Sequence, residues 1–524
     1  MKRILVSLLV VLLLFGGTTV GLAEEPVSGG ELRIACNRTV SAVALAPGYA
    51  DSTTCAQIQH AFADTLVRYN TEQDEFLPCL ATEWECSEDG LTWTFKIREG
   101  VHFQKGEFQD GRLMTAEDVA WCINWTHAES WAGFLPLLDK AEVIDEYTVA
   151  LHLTAQNPNL LNDLTASRGI IVPREELEGW GVDNFSAHAI GTGAFQVVEH
   201  IPDQYTRLVK NENYWGDEPY LDGVTFYIIK DDAQALNALQ AGEVDIIYSL
   251  SGTNIQSVAN NKDLVLTQIP TNQIAYMGMN MTNEILSDNR VREAIAMAIN
   301  REEIVAGVYA NGDGVLNPLP LSLNSWGYDE SLKEYVPPYD PEAAKALLAE
   351  AGYPDGFDIV LTTGTSETDV RAATIIQYQL AEIGVNCEIQ SLSTTEQTER
   401  FVNNTMELFI KSQNGTAHPN DHIGNFLSSG KLRTNYNAWA YSDPETDAMI
   451  AEALAISDSD REASKEIYHE LVKIALEENI GVFYANNVAF WGVSPRVHGY
   501  EMQVSTDLRI VGLPGQNINI WLSE

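Results

Sequence analysis

Short β-rich runs and amphipathic helical runs alternate along nearly the whole chain. That alternation restricts the fold more than any other feature. A helix buries one stripe and a strand one or both faces, so such runs resolve into mixed α/β layers. Residues 31–35 (ELRIA) read as a first strand, and residues 56–67 show helical spacing in Ile58, Ala61, Phe62 and Leu66. Residues 91–97 alternate apolar and polar after an Asp89-Gly90 turn, and Tyr147, Val149, Leu151 and Leu153 repeat the pattern. Both read as half-buried antiparallel strands. Between them Thr115 caps a helix with Glu117 and Asp118 in its first turn, where the helix dipole favours carboxylates.

A second α/β block begins near Gly191, with strands at 195–199, 224–229 and 243–248 and a helix over 231–240 ended by Gly242. From about residue 275 helices dominate. They cover 289–300, a segment opened by Asp340-Pro341 and closed by Gly352, 370–383 (followed by a strand at 385–389) and 460–478. A chain of 524 residues has room for two or three domains. It shows neither a short internal repeat nor a low-complexity linker. The expectation is mixed α/β with at least two lobes joined by strands or short crossings, which suits a hinge.

The N-terminus reads as a secretory signal over residues 1–23: Lys2 and Arg3, an apolar run from Ile4 to Phe15 broken only by Ser7, then Gly21-Leu22-Ala23 as a cleavage site. The run falls short of the roughly 17–25 residues of a membrane span. No Cys follows it closely, the first being Cys36. The expected product is a soluble, unlipidated protein cleaved near Ala23, periplasmic or extracellular, with no direct membrane insertion afterwards. Export permits disulfides among the six Cys. Cys36/Cys55 and Cys79/Cys86 are the pairs nearest in sequence, while Cys122 and Cys387 fall in a buried helix and a strand. The net charge of −43 repels phosphate backbones and anionic lipid, which argues against nucleic-acid partners and favours a soluble monomer.

Enzyme signatures are missing: no G-x-S-x-G elbow, P-loop, G-x-G-x-x-G after a strand or H-E-x-x-H occurs. His418-Pro419-Asn420-Asp421-His422 spaces two imidazoles as a weak metal-ligand candidate, but Pro419 makes the segment a loop. Among loop aromatics, Trp131, Tyr441 and Trp491 are candidates to line a cleft.

Five segments in order carry a resemblance. They are LATEWECSEDGLTWTFKIREGVHFQKGEFQDGRLMTAEDVAW (80–121), GTGAFQVVEH with KNENYWG (191–200, 210–216), ALQAGEVDI (238–246), MGMNMTNEILSDNRVREAIAMAINREEIV (277–305) and YDPEAAKALLAEAGYPDGF (339–357). Together they resemble the dipeptide/oligopeptide/nickel type, family 5, of extracellular solute-binding proteins, the receptors of ABC importers. The resemblance implies a two-lobed, type II periplasmic-binding-protein-like α/β fold with an extra inserted subdomain and a hinge. Lobe I would take 24–55, 188–274 and 491–524, the insert 56–187, and lobe II 275–490. It implies capture of a peptide-like solute by hinge closure and delivery to ABC permease subunits, with no cofactor and no catalysis. The alternatives are another cargo (a metal chelate, an oligosaccharide, an opine-like or other small solute) or an exported hydrolase.

Peptide-binding members of that family carry a Trp and then an Asp that pairs with the peptide ammonium. In the matching stretch Gln413 stands where the Trp would be, and Pro419 or Asn420 stands where the Asp would be. Asp421 is the nearest carboxylate. The family's early L-D-P reads Leu45-Ala46-Pro47, and residues 39–42 before it would approach the ligand. The ligand-binding residues implied are therefore Ser41, Ala42, Gln413, Asn414, Gly415, Asn420 and Asp421, with Trp131 as an aromatic wall.

Overall fold

A computed structural model describes residues 25–524, except 51, 71–74, 131–133, 158, 433, 435, 458–459, 503–508 and 514–517. The signal over 1–23 and Trp131 lie outside the described residues.

The organising element is an 11-stranded sheet. Its middle is a pair of long antiparallel strands, Val265–Met279 and Gly481–Val493, which carry the chain from one half of the molecule to the other and back. On one side follow Ile246–Leu250, Glu31–Cys36, Gly223–Ile228, Tyr205–Lys210 and Phe195–Ile201. On the other lie Leu408–Gln413, Phe357–Thr363 and Val385–Ser391. Glu31–Cys36 is parallel to both its neighbours, as is Phe357–Thr363.

Period-two alternation gives each half a core on both faces. Ala275, Met277, Leu408, Ile410, Val482 and Tyr484 meet the helices Asn289–Met297, Arg301–Val308, Pro341–Glu350 and Glu367–Glu382. Ile274, Tyr276, Phe409 and Phe483 turn the other way, onto Trp439, Phe426 and the helix Arg461–Glu477. A four-stranded antiparallel sheet (Ala81–Cys86, Thr92–Ile97, Thr148–Leu153, Leu138–Asp145) with the helix Ala116–Glu129 shares one continuous core with Leu32, Ile34, Val224 and Phe226.

The long strands lose register between Pro270 and Ile274. Pro270 has no N–H to donate to a ladder, and Asn side chains satisfy carbonyls there instead. Asn324 Nδ2 donates to Pro270 O (2.8 Å) and Thr271 O (3.0 Å), and Asn486 Nδ2 donates to Thr271 O (2.8 Å).

Many motif residues hold the frame together. Asp340, Asp231 and Asp460 cap their helices through the N–H groups of Ala343, Gln234 and Ala463. Asp118 accepts from Thr115 N and takes both ends of the Arg112 guanidinium. Buried Asp245 receives Arg33 and Arg496, tying the first strand to the C-terminal segment. Asp288 caps its helix and pairs with Arg290, but Arg292 does not join it. Arg292 is buried and reaches Glu478 and the carbonyls of Leu286 and Ser287.

The first helix is Thr53–Phe62 rather than 56–67. Ala63 is already extended, and Val67–Asn70 pairs with Glu75–Pro78, because Asp64 is drawn into a buried polar cluster. None of the six Cys is bridged. Cys79 and Cys86 lie beyond and at the far end of strand Ala81–Cys86, which at about 3.3 Å per residue holds them far outside the 4.4–6.8 Å typical of a disulfide. Cys55 Sγ faces Ser52 Oγ (3.1 Å) and Thr39 O (3.7 Å), while burial pushes the Cys36 thiol up to about 12. Tyr441 is packed in the core with its hydroxyl 2.9 Å from Thr446 Oγ1, and so is no cleft aromatic.

Candidate functional site

In open α/β sheets ligands bind beyond the carboxyl ends of parallel strands, where connections diverge to either side. The strand Glu31–Cys36 occupies that position here, between two parallel neighbours. Beyond its end and that of Ile246–Leu250 opens a cavity of about 560 Å³. One wall is built from the first half: Asn37 and Arg38, Ser52 and Thr53, and residues 248–251. The opposite wall is Tyr309, Asp313 and Thr368, and the floor is residues 487–491 of the returning strand. The cavity therefore lies between the two halves, against the strands that join them.

Local sequence explains how each wall is set. Ser52 caps the helix Thr53–Phe62: its Oγ accepts from Cys55 N (3.3 Å) and donates to Thr39 O (2.8 Å), pointing the positive helix end at the cavity. Ser249 has φ 76°, a left-handed conformation inside the strand Ile246–Leu250, where the pairing with the returning strand shifts register between Ile247 and Leu250. Thr368 stands in the first turn of the helix Glu367–Glu382. Asp313 precedes the short strand Gly314–Leu316, which pairs with residues 485–487. Tyr248 and Trp491 pack with ring centroids 5.4 Å apart.

Among the described residues the cavity lining holds one cation and one anion, Arg38 and Asp313. Asp313 Oδ1 and Asn487 Oδ1 are buried without a hydrogen-bond donor. The amide of Asn487 is oriented by its Nδ2, which donates to Gln273 Oε1.

The implied ligand loop occupies another part of the structure. Gln413 ends a strand beside Ile274, and the chain then folds around buried His422, whose Nε2 donates to Gln413 O (3.3 Å). Gly415 is required by contact: a Cβ there would fall 2.4 Å from the His422 ring. Asn414 backbone O takes the Gln413 amide (3.1 Å), and Asn420 is nearly buried. His418 Nδ1 accepts from Asn420 N (3.1 Å), and its ring stands edge-on to Trp326 and Tyr468. Burial lowers both imidazoles to about 4, with Arg461 adding to the effect at His418. The two histidines are packing groups of the second half, and no group of three or more His, Cys, Asp or Glu able to hold a metal occurs among the described residues.

Asp421 Oδ2 accepts from Thr416 N (3.1 Å). Burial pushes its carboxyl up, and it does the same to Asp163 of the other half, with the Asp421 charge adding to the effect there. Ser41 offers its carbonyl to His200 Nε2 (3.3 Å) and Ala44 N, and Ala42 is exposed. None of Ser41, Ala42, Gln413, Asn414, Gly415, Asn420 or Asp421 lines the 560 Å³ cavity, whereas Trp491 does. Arg38, Asp313 and Asn487 carry no motif. They become a set only once the sheet is assembled.

A two-half α/β frame, joined by two strands and holding a cavity between its halves, defines the class of two-lobed solute-binding proteins. The family model for "Bacterial extracellular solute-binding proteins, family 5 Middle" matches residues 75–433, and the chain belongs to that family. It is 28% identical over 463 residues to the dipeptide-binding protein of Escherichia coli K12, covering 83% of this chain and 85% of that one. It is 28% identical over 462 residues to heme-binding protein A of Haemophilus influenzae, covering 83% of each. Among solved structures, HbpA2 from Haemophilus parasuis superposes with a TM-score of 0.84 at 23% identity, covering 94% of this chain and 100% of that chain. NikA from Brucella suis in complex with Fe(III)-EDTA gives 0.77 at 22% identity, covering 91% and 98%. No helix among the described residues is long and apolar enough to cross a membrane.

Proposed function

We propose that this chain is the extracytoplasmic receptor of an ABC importer, which captures a small peptide-like solute between its lobes and presents it to the permease subunits. The observation that carries this reading is the cavity of about 560 Å³ at the carboxyl ends of the parallel strands, walled by both halves of the chain. That volume suits a ligand of a few residues, within the roughly 300–1,000 Å³ of small-molecule pockets. The relatives named for peptide binding support the cargo class.

In this reading lobe I comprises 24–55, 188–274 and 491–524, with 56–187 inserted, and lobe II comprises 275–490. The break at Pro270–Ile274 is the hinge. The Asp421 carboxylate adds to the upward push on that of Asp163 in the inserted segment. Binding and release need no bond chemistry, so the receptor works without catalysis. The exported, soluble, monomeric state follows from the signal over 1–23 and the acidic charge.

The test is native mass spectrometry of protein purified from its host without denaturation. A retained solute of peptide mass that also raises the unfolding temperature when added back is the expected result. Turnover of the solute to products would instead establish a hydrolase. A retained metal chelate or sugar would keep the receptor and replace the cargo.

A further inference from the structure

A second, much smaller cavity lies away from the cleft. The end of the helix Thr53–Phe62, the strand Val67–Asn70, the start of strand Phe195–Ile201 and the C-terminal residues 509–511 meet around it. It measures about 10 Å³, room for one water-sized guest. Its polar side chains are Arg68, Arg509, His60 and Tyr214, and among the described residues no carboxylate lines it.

Arg68 is 7% exposed, and its Nη2 donates to Asp64 Oδ1 at 2.5 Å. Its Nε and Nη1 are buried with no acceptor. Asp64 is engaged elsewhere, its Oδ2 accepting from Thr192 Oγ1 (3.1 Å) and Trp215 Nε1 (2.9 Å). A guanidinium has donors only, and burying donors of a charged group without an acceptor is costly. The guest of this cavity must therefore accept. The surrounding field is positive. Burial, with the Arg509 and Arg68 charges adding to it, pushes the His60 imidazole well below its usual value. The ring is then neutral and still carries one N–H. Burial pushes the nearby Cys79 thiol up to about 12, and it raises the Tyr214 phenol well above its usual value. Both are uncharged at neutral pH. The charges acting on Cys79 are two guanidiniums, Arg68 and Arg509, against the one carboxylate of Asp64. A water would bring two more donors into this donor-rich space, whereas an anion brings acceptors only.

We infer that this cavity binds one small monatomic anion, a halide such as chloride, held by Nε and Nη1 of Arg68 with Arg509 and neutral His60 on the remaining sides. Polyatomic anions exceed the space of a single guest. The site shares no lining residue with the 560 Å³ cavity, so it goes beyond the receptor reading and does not depend on it. The bound halide joins residues 60–68, 194–195 and 509–511, stretches far apart in sequence, and so stabilises the folded chain.

The probe is the halide itself. The full chain, purified into gluconate, is titrated with chloride at constant ionic strength while its unfolding temperature is followed. A saturable rise with chloride or bromide, absent when sulfate replaces them, is the expected result. Crystals grown in bromide should show an anomalous peak in the cavity beside Arg68. Asp64→Ala with Arg68→Met removes both members of the buried pair and leaves neither stranded. In that variant the chloride midpoint should rise about tenfold or more, the range of one lost charge-assisted bond, and the bromide peak should vanish. Arg509→Gln, at a half-buried position, should also raise the midpoint.

A bromide map with no anomalous peak in the cavity, or with water there, overturns the inference whether or not the variants fold. An unfolding temperature that follows chloride no differently from gluconate overturns it too, as does a chloride response that the folded variants keep unchanged. Each of these outcomes leaves the receptor reading standing, because that reading is tested by solute retained in the cleft.

Discussion

Asp64 is the residue whose removal should most damage the first half of the molecule. It is 1% exposed and follows the first helix. Its carboxylate accepts from Arg68 Nη2 (2.5 Å), Thr192 Oγ1 (3.1 Å) and Trp215 Nε1 (2.9 Å). Those donors come from the next strand, from the Gly191–Gly193 turn and from the segment after strand Tyr205–Lys210, so one side chain joins three stretches distant in sequence. Arg68 is itself 7% exposed. Asp64→Ala strands that guanidinium in the interior, and breaking a buried pair from one side costs about 3–5 kcal/mol. With a denaturant slope of about 4 kcal/mol per molar guanidinium chloride, the midpoint should fall by about 1 M. Asp64→Ala with Arg68→Met removes both charges and should recover most of the loss, because a buried pair exchanged for apolar packing is close to neutral. The assay is guanidinium denaturation followed by tryptophan fluorescence, to which Trp215 contributes directly. A single variant with an unchanged midpoint, or a double variant no better than the single, would refute the argument that the pair joins these segments.

Gly193→Ala should destabilise by at least about 1–3 kcal/mol, because its Cβ would lie 2.5 Å from the Phe62 carbonyl carbon and 2.7 Å from Ala63 N; thermal unfolding measures it. Trp439→Ala should cost about 3–5 kcal/mol in denaturant titration, since the fully buried indole packs edge-on to Phe426 and Tyr276 and donates to Phe426 O (2.8 Å). His422 sits near 4 when folded and about 6.5 when unfolded, so between those values the unfolded chain binds more protons. Its contribution is complete above pH 6.5 and lost as pH falls toward 4, about 2 kcal/mol by pH 5; His422→Gln should flatten that slope in denaturation curves, and an unchanged slope refutes it. A saturating solute at a hundredfold excess over its Kd should add about 2.7 kcal/mol and reduce the radius of gyration in small-angle scattering. An unchanged radius would exclude closure about the Pro270–Ile274 break.

Much of the local structure is written locally. Asp231, Asp340 and Asp460 announce helix starts because a cap bonds an N–H three residues on. The alternation in 91–97 and 147–153 produces two strands that pair with each other. The family motifs are legible for the same reason: Asp245, Asp118 and the glycines of 191–193 hold turns, caps and close contacts that any sequence in this frame must satisfy.

Local periodicity, caps and turns therefore fix most element types, the two-block α/β order and the family. Periodicity says which face of a strand is buried but not which strand lies beside it. Only the tertiary structure set Glu31–Cys36 between Gly223–Ile228 and Ile246–Leu250, ran two long strands through both halves, and kept Cys79 and Cys86 apart. It also decided the site. Arg38, Asp313 and Asn487 are unremarkable in sequence, and a group's lack of a partner is a property of everything packed around it, fixed only when residues hundreds of positions apart close the cavity.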